Sequence, residues 1–239
     1  MSELDSSGDL SARDLSARVG DLTRRYGHLD GEALLRPFIE GEFPGWIALV
    51  SSFGSEAAVL LHMAAEIDRH LPVIFLDTGK LFGETLRYRD DLARRLNLAD
   101  LRIVKPEADA VAAGDPDSLL SHRDPDACCA LRKVVPLRRA LSGFDAWISG
   151  RKRYQGALRE FMPVIEASGE KIKINPLARW SRTRIEAEFA ARDLPRHPLE
   201  ADGFLSIGCM PCTERVAPDA DPRAGRWAGR EKTECGIHL

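Results

Sequence analysis

The sequence predicts an α/β fold in which helices flank a parallel, twisted sheet. Short apolar runs of strand length alternate along the chain with longer segments whose apolar residues recur at helical spacing. Several of the apolar runs end in polar or glycine-containing turns, which is typical of strands that lead into helices. The 239 residues are enough to form one large core, so we predict one main domain with appended segments.

Four short runs are predicted to be strands: Trp46–Val50, which has the composition of a buried strand, and Pro72–Leu76, Leu101–Val104 and Ala146–Ser149. Helical periodicity follows the first two runs, over residues 57–67 and 82–96. Between the third and fourth strands, Asp126 is predicted to be the N-cap of a helix that begins with two adjacent cysteines. Pro136 must kink that helix or restart it, because proline lacks the N–H that a helix interior needs.

The pattern changes beyond residue 150. Residues 163–166 and 171–175 flank Ala167-Ser168-Gly169-Glu170 and predict a hairpin. Ser181 is the predicted N-cap of the next helix. From Pro195 onward the chain is rich in proline, glycine and aspartate, so we expect a segment that a bound metal and substrate would order.

We expect three segments along the chain. They are an N-terminal helical segment over residues 1–45, an α/β domain over residues 46–215 that binds nucleotide and metal, and a mobile C-terminal tail over residues 216–239.

Composition narrows the class of protein. The formal net charge is −3 and the pI is about 6.1, so no general attraction to nucleic acid or to an anionic membrane is expected. Residues 1–20 lack the apolar stretch of a signal peptide, and no apolar run approaches the length of a membrane span. We therefore predict a cytoplasmic protein, in which cysteines serve metal binding and catalysis rather than disulfides.

The five cysteines divide into two pairs and one single residue. Cys128-Cys129 and Cys209-x-x-Cys212 together offer four thiolates, which suit zinc or a [4Fe–4S] cluster. Adjacent cysteines on a helix project about 100° apart, which is awkward for a zinc knuckle and favours the iron–sulfur cluster. The ordinary alternatives are buried free cysteines and a redox-active Cys-x-x-Cys pair. The single Cys235 is the candidate for chemistry.

Two kinds of segment suggest an anion site. The turn Ser51-Ser52-Phe53-Gly54-Ser55-Glu56 leads from a strand into a helix, whose first amides could bind phosphate or sulfate, although an ordinary turn is an equal alternative. Arg151 and Arg159 follow the fourth strand, and Arg223 and Arg226 precede Cys235. Because guanidinium groups bind phosphate and sulfate oxygens in pairs, these arginines favour an anionic substrate over a solvated charged surface.

These motifs together resemble the assimilatory adenylylsulfate (APS) reductases. The resemblance rests on Cys128-Cys129 followed by Arg132-Lys133, on Cys209-x-x-Cys212, on the Leu76-Asp77-Thr78-Gly79 turn and on the terminal Glu234-Cys235-Gly236-Ile237-His238. It covers the chain from about Trp46 to the end.

The resemblance implies a fold similar to that of the adenine-nucleotide PP-loop proteins and a [4Fe–4S] cluster on Cys128, Cys129, Cys209 and Cys212. It also implies that Cys235 attacks the sulfur of APS to give an S-sulfocysteine, from which thioredoxin or a similar dithiol protein releases sulfite. Lys133 would link cluster and substrate electrostatically, and His238 either assists Cys235 or has no role. The substrate-binding residues implied are Ser51, Ser52, Phe53, Gly54, Leu76, Thr78, Gly79, Gly150, Arg151, Arg159, Arg223 and Arg226.

Other functions stay open at this point. A reductase of the 3′-phosphorylated substrate (PAPS), or of both substrates, would share these motifs. A PP-loop enzyme that modifies tRNA is disfavoured by the slightly acidic charge balance. A non-catalytic cysteine–metal interaction module would leave Cys235 without a purpose. Homo-oligomerisation is also undecided by the sequence.

Overall fold

The computed structural model describes residues 6–217 and 219–238, in which one mixed sheet of six strands lies between layers of helices. The strands are β1 (Ile47–Val50), β2 (Val73–Leu76), β3 (Leu101–Val104), β4 (Ala146–Ser149), β5 (Ile165–Ser168) and β6 (Lys171–Ile174). The helices are α1 (Ser6–Tyr26), α2 (Gly31–Pro37), α3 (Ala57–Ile67), α4 (Gly83–Arg95), α5 (Ala108–Gly114), α6 (Leu120–Arg123), α7 (Pro125–Cys129), α8 (Val135–Ala140), α9 (Arg182–Ala191) and α10 (Pro198–Ala201).

The strand order is β3-β2-β1-β4-β6-β5, which confirms the predicted α/β sheet. Neighbours from β3 to β6 are parallel, whereas the edge strand β5 is antiparallel to β6, so the sheet is mixed rather than wholly parallel. The chain moves outward from β1 through β2 to β3 and later returns to place β4 on the other side of β1. That reversal creates a crevice between the carboxyl ends of β1 and β4, where open α/β sheets bind ligands.

Both faces of the central strands are buried, which explains their continuous apolar sequences. Leu49 and Ile148 pack in the larger core with the helices of one face. Ala48 and Trp147 alternate with them and pack on the other face with Leu137 of α8. Within the described ranges, no helix is both long enough and apolar enough to cross a membrane.

The hairpin and the cysteine helix differ in detail from the predictions. Only Gly169 and Glu170 connect β5 and β6, because residues 167 and 168 extend the first strand. The N-cap of α7 is Asp124 rather than Asp126, since the Asp124 carboxylate accepts the backbone N–H groups of Asp126 and Ala127. A carboxylate at this position satisfies amides that have no partner inside the helix.

The proline in the cysteine helix has the predicted effect. The chain after α7 is wound as one π-helical turn, Ala130–Val134, before α8 starts with Pro136 in its first turn. A widened turn accommodates a residue that cannot donate the usual helical hydrogen bond. Lys133 lies within this turn, between the paired cysteines and the crevice of the sheet.

Candidate active site

A cavity of about 210 Å³ occupies the crevice between the carboxyl ends of β1 and β4. Ser51, Ser52 and Gly54 line it from the turn after β1, and Gly150 and Arg151 line it from the segment after β4. Residues about 100 positions apart in sequence therefore meet at the point that the sheet topology favours for a ligand.

Phe53 is the exception within the first turn. Its side chain is fully buried in the core and packs edge-on against Phe75, with ring centroids 5.5 Å apart. The backbone at Phe53 has φ +49°, and the Phe53 amide donates to Ser51 Oγ at 3.1 Å. A bulky residue in the left-handed region is uncommon, and here burial of the ring holds the turn in place.

Glu56 ties the two walls of the cavity together. Its carboxylate accepts from Lys152 Nζ at 2.8 Å, from Gln155 Nε2 at 2.7 Å and from the Tyr154 hydroxyl. Burial would raise the pKa of Glu56, but Lys152 and these hydrogen bonds hold it below its ordinary value. The ionised carboxylate therefore fixes the segment after β4 against the start of α3.

Basic side chains surround the rest of the cavity. Arg151 is paired with Glu166, and its Nε is buried without a hydrogen-bond partner in the described part of the chain. Arg226 lies between Gly208 and the ring of Trp227, with its guanidinium carbon 4.5 Å from the ring centroid. A Cβ at position 208 would lie 2.4 Å from Arg226 Nη2, so a side chain there would displace this guanidinium.

Cys235 lies inside the same cavity, and only 9% of the residue is exposed. A hydrogen bond from Cys129 is the largest cause that lowers the pKa of the Cys235 thiol, and burial raises that pKa. The charges of Lys133 and Arg226 and a hydrogen bond from the Ile237 amide lower it further. A thiol in these surroundings has the thiolate character that a nucleophile needs.

The C-terminal segment is docked in this structure. The Glu234 carboxylate contacts both Arg159, at 2.5 Å and 2.7 Å, and Arg223, at 3.5 Å. Lys232 pairs with Asp126 near the cysteine helix. In this conformation Cys235 lines the cavity. The mobility of the tail stays a prediction.

The four paired cysteines line a second, smaller cavity, directly beside the first. Cys128 and Cys129 enter it from α7, and Cys209 and Cys212 enter it from the turn that contains them. Burial is the leading cause that raises the thiol pKa of Cys128 and of Cys212, so a metal would have to displace their protons. Among the described His, Cys, Asp and Glu residues, no group of three or more converges as ligands of one metal ion would.

Lys133, Arg226 and Trp227 form the wall between the two cavities, because each of them lines both. Burial alone would lower the pKa of Lys133, but electrostatic interactions with Cys209 and Cys235 raise it above its ordinary value. The indole Nε1 of Trp227 is buried and has no hydrogen-bond partner within residues 6–217 and 219–238. Lys133 thus lines both cavities, and its electrostatic link between cluster and substrate stays a prediction.

The Leu76–Gly79 turn lies beside the cysteines rather than beside the first cavity. Thr78 Oγ1 is 3.3 Å from Cys209 Sγ, and the Thr78 carbonyl accepts from Arg132 Nη1 at 2.8 Å. Leu76 packs with the core on the α8 face, and Gly79 faces the Arg132 guanidinium. Contact between these three residues and a substrate therefore stays a prediction.

Several residues of the cavity were not predicted from the sequence: Glu56, Lys152, Gln155, Ser206, Gly208, Trp227 and Glu234. Four of them carried a signal. Glu56 ends the predicted turn after β1, Lys152 and Gln155 lie between Arg151 and Arg159, and Glu234 adjoins the candidate nucleophile. The other three reach the cavity through the fold alone.

Residues 46–215 match the model of the phosphoadenosine phosphosulfate reductase domain. The chain belongs to this family. A curated relative from Chelativorans sp. strain BNC1, named adenosine 5′-phosphosulfate reductase, is 52% identical over 220 residues, which cover 92% of this chain and 90% of that protein.

Solved structures agree with the fold. The phosphate complex of phosphoadenylyl-sulfate reductase from Candida auris is 28% identical, with a TM-score of 0.68 over 80% of this chain and 94% of that one. Yeast FAD synthetase, at 18% identity, superposes with a TM-score of 0.54 over 84% of this chain and 75% of that chain. This second similarity concerns the fold alone.

Proposed function

We propose that this chain reduces APS to sulfite and AMP in assimilatory sulfate reduction, with Cys235 as nucleophile and thioredoxin or a similar dithiol protein as reductant. The observation that carries the proposal is the position of Cys235, inside a cavity with basic walls at the switch point of the sheet. Membership of the family and the 52% identity to a protein named adenosine 5′-phosphosulfate reductase support it.

The substrate would lie with its phosphate and sulfate groups among the basic side chains. Ser51, Ser52 and Gly54 at the start of α3 and Gly150 after β4 would contribute hydroxyl and backbone donors. Arg151, Arg223 and Arg226 would offset the negative charge of the two anionic groups. Without these cations, the approach of a thiolate to a dianion would be repulsive.

In the first step, the Cys235 thiolate attacks the substrate sulfur and forms an S–S bond. The bond between that sulfur and the bridging oxygen breaks, and AMP leaves with the electron pair. The product on the enzyme is an S-sulfocysteine. Lys133 and Arg226 would stabilise the thiolate before attack.

In the second step, a thiolate of the reductant attacks Cys235 Sγ and displaces sulfite. The second thiol of the reductant then attacks the mixed disulfide, which regenerates Cys235 and leaves the reductant as a disulfide. The dithiol supplies the two electrons that the sulfur atom of sulfite gains relative to sulfate.

The size of the site supports movement of the tail between these steps. Ligand pockets usually measure about 300–1,000 Å³, whereas the cavity below the docked tail measures about 210 Å³. Cys235 is also buried, so a protein reductant could not reach its sulfur in this conformation. We therefore propose that residues 216–239 open to admit substrate and to present the S-sulfocysteine.

We further propose that Cys128, Cys129, Cys209 and Cys212 hold a [4Fe–4S] cluster. All four line one buried cavity, and the indole N–H of Trp227 at its wall needs an acceptor that a sulfur atom would supply. When bound, the cluster would tie α7 to the Cys209–Cys212 turn and place negative charge behind Lys133. Cys129 as a ligand could no longer donate to Cys235, so Lys133, Arg226 and the Ile237 amide would then stabilise the thiolate.

The second candidate substrate is PAPS, which the family description and the Candida auris relative support. The paired cysteines favour APS, because in the resembled family they accompany the substrate without the 3′-phosphate. Measuring sulfite release from APS and from PAPS with reduced thioredoxin tests both proposals. A higher specificity constant for PAPS would overturn the substrate preference, and no sulfite from either compound would overturn the reaction.

A further inference from the structure

We propose that Glu234 and His238 anchor the closed tail on both sides of Cys235, and that Arg159 is a positioning residue that acts through Glu234 rather than by contacting the substrate. The role in the reaction rests on the proposed function above. The anchoring itself is a property of the tail and is testable without any substrate.

The first anchor is a forked ion pair. Arg159 Nε and Nη2 bind the two oxygens of Glu234, and Arg159 Nη1 donates to Gln155 Oε1 at 2.8 Å. The side chains of Arg159 and Glu234 are 7% and 13% exposed, so water screens the pair weakly. All three nitrogens of the Arg159 guanidinium therefore donate hydrogen bonds to protein groups, and the Glu234 carboxylate neutralises its charge.

The second anchor is an aromatic stack. The rings of His238 and Trp147 are nearly parallel, at 5°, with centroids 5.9 Å apart. Trp147 is buried within strand β4, whereas His238 is in the turn Gly236–His238. Burial and the nearby charges of Arg151 and Lys173 lower the pKa of His238, so the ring is neutral at neutral pH. A neutral ring whose Nδ1 has no partner in the described chain binds here by packing, not by charge.

The two anchors leave Cys235 little freedom. It lies one residue after the ion pair and three residues before the stack, and the His238 amide donates to the Cys235 carbonyl at 3.3 Å. A Cβ at Gly236 would lie 3.3 Å from Val134, so the turn also packs closely on the cysteine helix. Reaction rate depends steeply on the position of the attacking atom, which such anchoring would fix.

The opposite possibility is that the Glu234 carboxylate competes with the substrate for Arg159. The two possibilities predict different changes in APS affinity when the charge of Glu234 is removed. If Glu234 competes, removing its charge tightens APS binding. If Glu234 anchors, removing its charge leaves APS affinity unchanged and slows the transfer of the sulfonate group to Cys235.

The anchoring test uses hydrogen exchange in the cluster-loaded protein without substrate. Glu234→Gln is expected to increase the exchange rates of the amides over residues 233–238 by about tenfold, because a charge-assisted contact that holds them closed is lost. Glu231→Gln, which neutralises an exposed carboxylate of the same tail, is the matched control and should leave those rates unchanged. Equal protection of the tail in wild type and in Glu234→Gln would overturn the anchor.

The positioning test separates binding from chemistry. Glu234→Gln and Arg159→Lys should each lower the single-turnover rate of Cys235 S-sulfonation by roughly tenfold to a hundredfold, since lysine keeps the charge but not the fork. The double variant should be no slower than either single variant, because both changes break one interaction. APS affinity, measured in a Cys235→Ser background, should stay within about twofold. Tighter binding in Glu234→Gln, or several-fold weaker binding in Arg159→Lys, would overturn the positioning role.

The stack has its own pair of variants. His238→Phe keeps an aromatic ring on Trp147 and should retain both the exchange protection and the rate, whereas His238→Ala should lose both. Equal loss in the two variants would show that the imidazole nitrogens matter and would contradict the stacking role. If wild-type protein does not transfer a sulfonate group from APS, the proposed reaction fails, and the exchange comparison still decides whether the anchors exist.

Discussion

Asp115→Asn should destabilise the protein through one buried ion pair beside the cysteines. The Asp115 side chain has no exposed surface, and its Oδ2 accepts from Arg132 Nη2 at 2.7 Å and from Nε at 3.2 Å. Its Oδ1 accepts the Leu120 amide at 2.8 Å. Asparagine has nearly the same shape and can still accept from Leu120, so the change removes chiefly the negative charge that pairs with Arg132 and, at 3.6 Å, with Lys80 Nζ.

The magnitude follows from the burial of Arg132, which is 6% exposed. Breaking a buried pair and leaving one charge uncompensated costs roughly 3 kcal/mol. For a chain of this size, that corresponds to a fall in Tm of about 6–12 °C. Since Arg132 Nη1 also binds the Thr78 carbonyl at 2.8 Å, the loss should loosen the wall of the cysteine cavity.

Urea denaturation at pH 7, followed by tryptophan fluorescence, measures the effect. Asp117→Asn is the matched control, because Asp117 lies two residues away and forms an exposed pair with Arg123 that should contribute little. The reasoning about burial would be refuted if the two variants unfolded at the same urea concentration.

The pH dependence gives a second check on Asp115. Burial raises its pKa, but the Leu120 amide, Arg132 and Lys80 together hold it below the ordinary 3.8. A lowered carboxyl pKa contributes stability that is fully present above the unfolded value and is lost as the pH falls through the folded value. The advantage of wild type over Asp115→Asn should therefore be constant from pH 7 to about pH 5 and shrink only below the unfolded pKa of 3.8.

Two further predictions concern the metal and the substrate. Cys129→Ser or Cys212→Ser should abolish the iron and acid-labile sulfide content of anaerobically prepared protein. Each variant should also increase hydrogen exchange after residue 195, because a lost ligand removes folding free energy there. Stoichiometric zinc without sulfide in wild type would contradict the cluster. Arg151→Ala and Arg226→Ala should each weaken APS binding by about 1–3 kcal/mol if the guanidinium contacts an anion, and unchanged affinity in both titrations would remove them from the site.

The sequence predicted β1, β2 and β4 well because both faces of these strands are apolar. It also located β3, although β3 is an edge strand in which Arg102 and Ile103 are exposed. Residues 101–104 and 146–149 begin and end as expected, and β1 and β2 differ from prediction by one residue at the start. The N-cap of the cysteine helix was harder, since Asp124 and Asp126 flank one proline and both are good caps. The π-helical turn before Pro136 depends on packing around the proline, which the pattern does not specify.

The sequence pointed to the cysteines and arginines that line the two cavities but not to their pairings. The chemistry-bearing cysteines and arginines stand out because those residues rarely cluster without a purpose. The pairing of Arg159 with Glu234 joins residues 75 positions apart, and the pairing of Glu56 with Lys152 joins residues 96 positions apart. Such contacts depend on the topology of the sheet, so the sequence could supply Arg159 as a cation but not its partner.

The central claim is that Cys235 is the nucleophile and has no part in metal binding. The most direct measurement mixes the anaerobic protein with sulfur-labelled APS in the absence of reductant and locates the label by peptide mapping. We expect the label on the peptide that contains Cys235, its discharge as sulfite by reduced thioredoxin, and no label in Cys235→Ser, which should keep its cluster spectrum and its affinity for APS. Label on another cysteine, or turnover by Cys235→Ser, would contradict the account.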